Sequence, residues 1–472
     1  MDYKKNVSAQ AIGRAIYVAT GVAVYVFVAR FLGPEILGNY AYAISVITVA
    51  STLADLSTTA ILSRELVYQE HNQPEFITNY LVLRFGLAVI VGIAMVIFSM
   101  VAAPVAIRKP LMAASVLLPL ISARFFDPIF QVANRPWLAF HLATASSAIW
   151  ITSTYLGATI PAAPLFWTVI AYTVSAAAYG MVGLAMSCRL IRPRLEFIRW
   201  HSIRQIGRAA APLAIGALFN LVSVRADVFL LAELRNTTEM GMYNAAFRFL
   251  DLGMAVVVTA MTPLLPILTR LAETNRQQLA QVFRSLTAFV ATWCLLLAVV
   301  TPILSPLIIR LCYGEAYLAA ADVLNLMVWR FFLAFINFLF LGLLTSLRTI
   351  DFFSWSSALA MVVNIGLNLL LIPPLGGVGA GWSGIASETS QVLVEVLILL
   401  RIGGSQFLSP RLWITLSLAG SISIGILQFL GDAEPGWLLL AATSSFILII
   451  RLFGKLPESP LRYLATAKPG VS

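Results

Sequence analysis

Fourteen stretches of mostly apolar residues follow one another along this chain, each close to the roughly 20 residues that a membrane-spanning helix needs. The first six cover roughly 9–30, 38–62, 77–101, 111–131, 137–158 and 163–187, and the next six roughly 208–232, 242–266, 281–303, 320–345, 354–372 and 378–401. Two more follow near roughly 411–430 and 436–453, and most connections between runs are short. Hydrophobic residues make up 60% of the chain and charged residues 11%. A soluble domain carries about 25% charged residues, so a chain of this size could not cover itself in water. The expectation is an all-α integral membrane protein with about 14 transmembrane helices.

The charges outside the runs orient the chain. Lys4 and Lys5 precede the first run, and the longest polar linker carries Arg189, Arg192, Arg194, Arg199, Arg204 and Arg208. Arg270, Arg276 and Arg284 follow the eighth run, and Arg451, Lys455, Arg462 and Lys468 lie in the tail. With fourteen spans all of these share one side, whereas the opposite loops hold only Arg30, Arg108, Lys109, Arg235 and Arg310. The positive-inside rule then places both termini in the cytoplasm, and the expected location is the plasma (inner) membrane. The net charge of +10 is accounted for by these loops and by anionic headgroups, with no nucleic-acid partner. Cys188, Cys294 and Cys312 form no CxxC pair, and His71, His141 and His201 show no ligand spacing, so neither a disulfide framework nor a metal site is suggested.

The basic linker divides the chain into halves that echo each other. Gly38-Asn39-Tyr40-Ala41-Tyr42-Ala43 opens the second run, and Gly241-Met242-Tyr243-Asn244-Ala245-Ala246 opens the eighth. A matched Ser63-Arg64 and Thr269-Arg270 follow them. Six spans per half is an even number, so both halves enter from the same side, as a parallel repeat does. The domain reading is an N-terminal lobe over 1–187, a basic cytoplasmic linker over 188–207 and a C-terminal lobe over 208–402. Two further spans over 403–454 and a cytoplasmic tail over 455–472 complete it.

Gly379-Ala380-Gly381-Trp382-Ser383-Gly384 formally matches the GxGxxG nucleotide fingerprint. No strand precedes it, however, and Glu395 is too near to serve as the ribose acid. The bland reading is preferred: Pro373-Pro374-Leu375-Gly376-Gly377 is the turn between spans eleven and twelve, and the glycines form a small-residue helix face.

The same stretch carries a resemblance. Leu367-Asn368, Leu371-Ile372-Pro373, Gly376, Gly379-Ala380 and Glu388 resemble the "LN-x-x-LIP-x-x-G-x-x-GAA…E" signature of Wzx-type polysaccharide and O-antigen flippases. These form the oligosaccharide flippase family of the multidrug/oligosaccharidyl-lipid/polysaccharide exporter superfamily. "RFLGPEILGNYAYAISV" (Arg30 to Val46), "LADLSTTAILSREL" (Leu53 to Leu66) and "APLAIGALFNLVSVRADVFLL" are similar to family patterns, so the likeness runs along nearly the whole chain. Leu375, Gly381 and Ser57 depart from the usual residues.

The resemblance implies two pseudo-symmetric six-helix lobes around a central cavity plus two C-terminal helices. It implies movement of an undecaprenyl-diphosphate-linked glycan from the cytoplasmic to the outer leaflet by ion-coupled alternating access, without enzymatic activity. No cofactor is implied beyond a proton or sodium gradient. The partners are the lipid-linked glycan and the bilayer, with a polymerase and other polysaccharide-assembly proteins as candidate associates.

A diphosphate carried through hydrocarbon needs fixed cations, and the guanidinium fork suits phosphate oxygens. Arg14, Arg84, Arg225, Arg248 and Arg330 are the candidate substrate-binding residues; Arg14 draws additional support from the resemblance. Asp55, Asp227 and Glu388 are the candidate ion-coupling residues, and Glu395 is a further acid inside a span. Arg124 with Asp127, and Arg248 with Asp251, are three apart, so on a helix each aspartate would neutralise its arginine. Trp137, Trp150, Trp167, Trp200, Trp413 and Trp437 are read as belts at span ends. The alternative function is a drug or organic-cation exporter of the same superfamily, whose cavity should favour acids. An enzyme would need a larger aqueous domain, and a purely structural membrane protein would gain nothing from midplane charges.

Overall fold

The computed structural model describes residues 3–68, 73–133, 135, 137–261, 264–347, 349 and 351–409, with ten isolated positions between 414 and 447. Apart from those ten positions, the expected spans near 411–430 and 436–453 and the tail from 455 lie outside the described residues. Every described element is helical. The chain runs through α1 (Tyr3–Asp55), α2 (Thr58–Tyr68), α3 (Gln73–Val101), α4 (Val105–Ile121), α5 (Phe126–Val132), α6 (Trp137–Ala158) and α7 (Pro164–Ile191). It continues through α8 (Trp200–Leu234), α9 (Thr237–Met261), α10 (Leu265–Thr274), α11 (Arg276–Tyr313), α12 (Ala320–Ser346), α13 (Asp351–Leu375) and α14 (Gly377–Arg401).

All of the first twelve expected spans fall on these helices. Nine helices among the described residues are long and apolar enough to cross a membrane, and the chain is a multi-pass membrane protein. The difference from twelve has local causes. Spans one and two are fused in α1, where Gly33 (φ 83°) breaks the regular backbone and Pro34 removes an amide donor. The remaining two, α6 and α9, carry hydroxyl and charged side chains that lower their hydropathy.

Three expected spans break where the sequence read as continuous. Leu56 and Ser57 take positive φ between α1 and α2, residues 122–125 leave the helix between α4 and α5, and α9 gives way to the short α10. The two halves echo each other in this: Ser63-Arg64 sits in α2 and Thr269-Arg270 in α10. The chain also reverses later than expected near residue 373. Pro373 and Pro374 complete the last turn of α13, and the turn itself is made at Gly376 (φ 56°).

The chain divides into two compact units, Met1–Asn244 and Ala245–Ser472. The first reaches beyond the expected 1–187 because α8 packs on α1, α2 and α3. The basic linker is likewise fastened to the start of α3. The Asn79 amide donates to the Phe197 carbonyl at 2.9 Å and accepts from the Arg199 amide at 2.7 Å. Thr78 accepts from the Arg194 amide at 3.2 Å, and Arg199 pairs with Glu75 at 2.9 Å. Within this unit the first glycines of the two GxYxxA motifs, Gly38 and Gly241, meet. A Cβ added at Gly38 would overlap the Thr237 carbonyl, one added at Gly241 would overlap the Pro34 carbonyl, and each would lie 3.1 Å from the other glycine's nitrogen. The second unit centres on an apolar cluster of α10, α11, α12 and α14 that includes Leu279, Phe283, Ile336, Phe340 and Leu399.

Candidate functional site: charges within the helices

In the first unit, Arg84 of α3 is 4% exposed and pairs with Asp55 at the end of α1. Its Nη1 also donates to Thr59 Oγ1 at 3.0 Å, Tyr80 Oη at 3.1 Å and Thr58 Oγ1 at 3.2 Å, and its Nε to the Ser122 carbonyl at 2.8 Å. Asp55 and Ser122 mark the places where α1 and α4 stop, so one guanidinium sits at the ends of two interrupted helices, bonded to a carboxylate at one and a carbonyl at the other. A cation at helix C-termini is electrostatically favourable. Two expected site residues of different roles are thus brought together, and each answers the other's charge.

Arg225 and Asp227 sit on α8 near the middle of its apolar window Ala214–Leu234. Asp227 is completely buried and accepts from Tyr243 Oη at 2.7 Å. Arg225, two positions away and half-buried, has neither an ion pair nor a hydrogen bond among the described residues. Arg14 lies on α1, and its side chain falls outside what the structure describes.

In the second unit, Arg248 donates to Asp251 Oδ2 at 2.9 Å, the i,i+3 pair that helical spacing requires. Arg330 of α12 is 3% exposed, with its guanidinium 5.6 Å from the Phe247 ring centre. Gly384 of α14 makes room for it: a Cβ there would lie 2.6 Å from Arg330 Cζ. Gly381 admits Leu326 in the same way, at 2.8 Å from its Cδ1, and Gly379 admits the backbone of Leu371. All three glycines of the GxGxxG run are therefore used in helix packing. Beyond Gly384, Glu388 accepts from Asn337 Nδ2 at 2.5 Å. Glu395 is fully buried and accepts from Gln391 at 3.2 Å. Arg330, Gly384, Asn337 and Glu388 form successive rungs of the α12–α14 contact; Asn337 and Gln391 carried no signal in the sequence.

Two expectations are corrected here. Arg124 does not turn to Asp127, because residues 122–125 are not helical and the i,i+3 argument does not apply. Instead Arg124 Nη2 donates to Tyr17 Oη at 2.9 Å. Trp150 is not at a span end: it sits well inside α6 and is 4% exposed. Outside the spans, Tyr317 follows α11 in a short turn, and burial pushes its phenol above the ordinary range.

A family model described as "Polysaccharide biosynthesis protein" matches residues 4–272, more than half of the 472. The chain belongs to that family. No curated protein matches this member of the polysaccharide biosynthesis family in sequence. Among solved structures it is similar to "Lipid II flippase MurJ, inward closed conformation", at 12% identity and a TM-score of 0.69 over 97% of this chain and 99% of that one. A mutant of the Vibrio cholerae MATE transporter VcmN matches at 16% identity and 0.58, over 84% of this chain and 97% of that one. A MOP superfamily transporter from Pyrococcus furiosus matches at 14% and 0.58, over 86% and 97%. At such identities the likeness is one of fold, and the fold is that of MOP superfamily transporters.

Proposed function

We propose that the protein flips an undecaprenyl-diphosphate-linked oligosaccharide from the cytoplasmic to the outer leaflet of the inner membrane, with both termini in the cytoplasm. The observation that carries this reading is Arg225: a cation near the middle of an apolar helix with no acid bonded to it among the described residues. A charge at that depth costs at least about 2.5–3.5 kcal/mol, and a diphosphate is a chemically apt counter-ion. Arg330 is the second candidate contact. Arg84 and Arg248, each already paired with an aspartate, serve the fold first. Transport is coupled to a proton or sodium gradient through Asp227 and Glu388, the acids held by Tyr243 and Asn337. Association with a polymerase and other polysaccharide-assembly proteins is part of the same proposal.

The test is flipping of a lipid-diphosphate-linked oligosaccharide in proteoliposomes, with and without an ion gradient. Arg225→Gln should abolish flipping, Arg225→Lys should restore part of it, and Asp227→Asn should remove the gradient dependence. Movement of an organic cation by the intact protein, with the glycolipid left in place, would replace this reading with that of a cation exporter.

A further inference from the structure

The first unit contains a second cation that the proposed function does not use. Arg124 lies inside the apolar window Val105–Phe130, on the non-helical residues between α4 and α5. Its guanidinium is stacked 5.1 Å from the Tyr17 ring and 5.2 Å from the Tyr179 ring. Tyr17 in turn lies 5.6 Å from Trp150, which packs edge-on at 5.2 Å against the buried Tyr172. Aromatic faces attract the cation, yet they do not cancel its charge. Asp127, the nearest acid in sequence, is exposed on the first turn of α5. Among the described residues no carboxylate pairs with Arg124.

Unsatisfied atoms on Arg124 and on Trp150, the neighbour of Tyr17, point the same way. Arg124 Nε and Trp150 Nε1 are buried N–H donors without an acceptor among the described residues. Leaving a buried donor unmade costs about 1–3 kcal/mol, more for a charged group. A guanidinium and two orphan N–H groups lack one thing, an acceptor carrying negative charge. Tyr17, Arg124 and Tyr179 are only half-buried, so the site is reached past them, with Trp150 behind.

We propose that Arg124, Tyr17, Tyr179 and Trp150 form an oxyanion-binding site inside the first unit, taking a carboxylate or a phosphate. The oxyanion accepts from Arg124 and from Trp150 Nε1. Its source is either an acidic group on a sugar ring, which would stack on the tyrosines, or the free ion. The site does not depend on the flippase reading.

The experiment is thermal unfolding and tryptophan fluorescence of the full chain in lipid nanodiscs, titrated with glucuronate, acetate, inorganic phosphate and uncharged glucose. An oxyanion at about a hundredfold over its Kd should raise Tm by several degrees, and glucose should not. Trp150→Phe should lose the fluorescence response. Arg124→Gln should lose the Tm shift, and Arg124→Lys should weaken binding about tenfold through the lost fork geometry. Glucuronate binding at least about tenfold tighter than acetate identifies the sugar-borne acid as the source, whereas equal binding of acetate or phosphate identifies the free ion. If no oxyanion shifts Tm, or if Arg124→Gln keeps the shift, the proposal is overturned. Should Arg124→Gln not fold, the Lys and Phe variants decide: unchanged affinity in both overturns it.

Discussion

Gly38→Ala is a change of one methyl group, and the structure makes it severe. The new Cβ would overlap the Thr237 carbonyl oxygen and stand 2.9 Å from the carbonyl carbon and 3.1 Å from the Gly241 nitrogen. Both obstacles are backbone, so no side chain can swing aside. The helices must separate, by about 1 Å, and a gap of that size forfeits about a quarter to a half of each dispersion contact it opens. Overpacking of a close core typically costs about 1–3 kcal/mol, and the upper half of that range is expected here. Gly241→Ala should cost a similar amount, because its Cβ would overlap the Pro34 carbonyl. The two changes act on one gap. Once the first has parted the helices the second has room, so the double variant should be less unstable than the sum by about 1–2 kcal/mol. Gly86→Ala is the control: nothing lies within 4 Å of its Cβ, and alanine improves helix propensity by about 1 kcal/mol or less. Denaturant unfolding in detergent micelles gives all four values. Equal stability of Gly38→Ala and Gly86→Ala, or strict additivity of the pair, would refute the close reciprocal contact.

Removing either partner of the Arg84–Asp55 pair should cost about 2–4 kcal/mol and lower the monodisperse yield, since a buried charge is left uncompensated; Arg84→Met with Asp55→Leu should cost less than the two singles together. Breaking the partly buried Arg248–Asp251 pair should cost less than breaking Arg84–Asp55 in a double-mutant cycle, because its arginine is the more exposed of the two. Gly384→Ala places a methyl group 2.6 Å from the Arg330 guanidinium and should cut glycolipid flipping about tenfold without changing any charge, a loss of about 1.4 kcal/mol in transition-state terms; unaltered flipping would remove Arg330 from the transport path. Tyr317 keeps its proton more tightly folded than unfolded, so its contribution is intact below the unfolded pKa near 10 and declines as pH rises above it. Tyr317→Phe should therefore show a shallower loss of stability in alkaline unfolding curves.

What the sequence determined by itself is that its first twelve apolar runs are helical, and the family they belong to. Apolar runs of membrane length permit little besides helices, because backbone groups in hydrocarbon must bond within their own segment. The twin GxYxxA motifs were legible for a similar reason: only glycine tolerates so close a backbone approach, so the contact leaves a mark in one dimension. The small-residue role of Gly379, Gly381 and Gly384 could be read in the same way. What each charge is for could not. Arg84 and Asp55 are 29 positions apart, and their pairing depends on how α1, α3 and α4 meet. Arg124 and Asp127 have the spacing of a pair and lose it because Arg124 lies in the break before α5, whereas Arg248 and Asp251 keep it because they share an unbroken helix. Periodicity records which face a residue occupies on an unbroken helix. Where the helix breaks, and what stands opposite, are set by packing between distant segments, and among the described residues that packing leaves Arg225 and Arg124 with no acid paired to them.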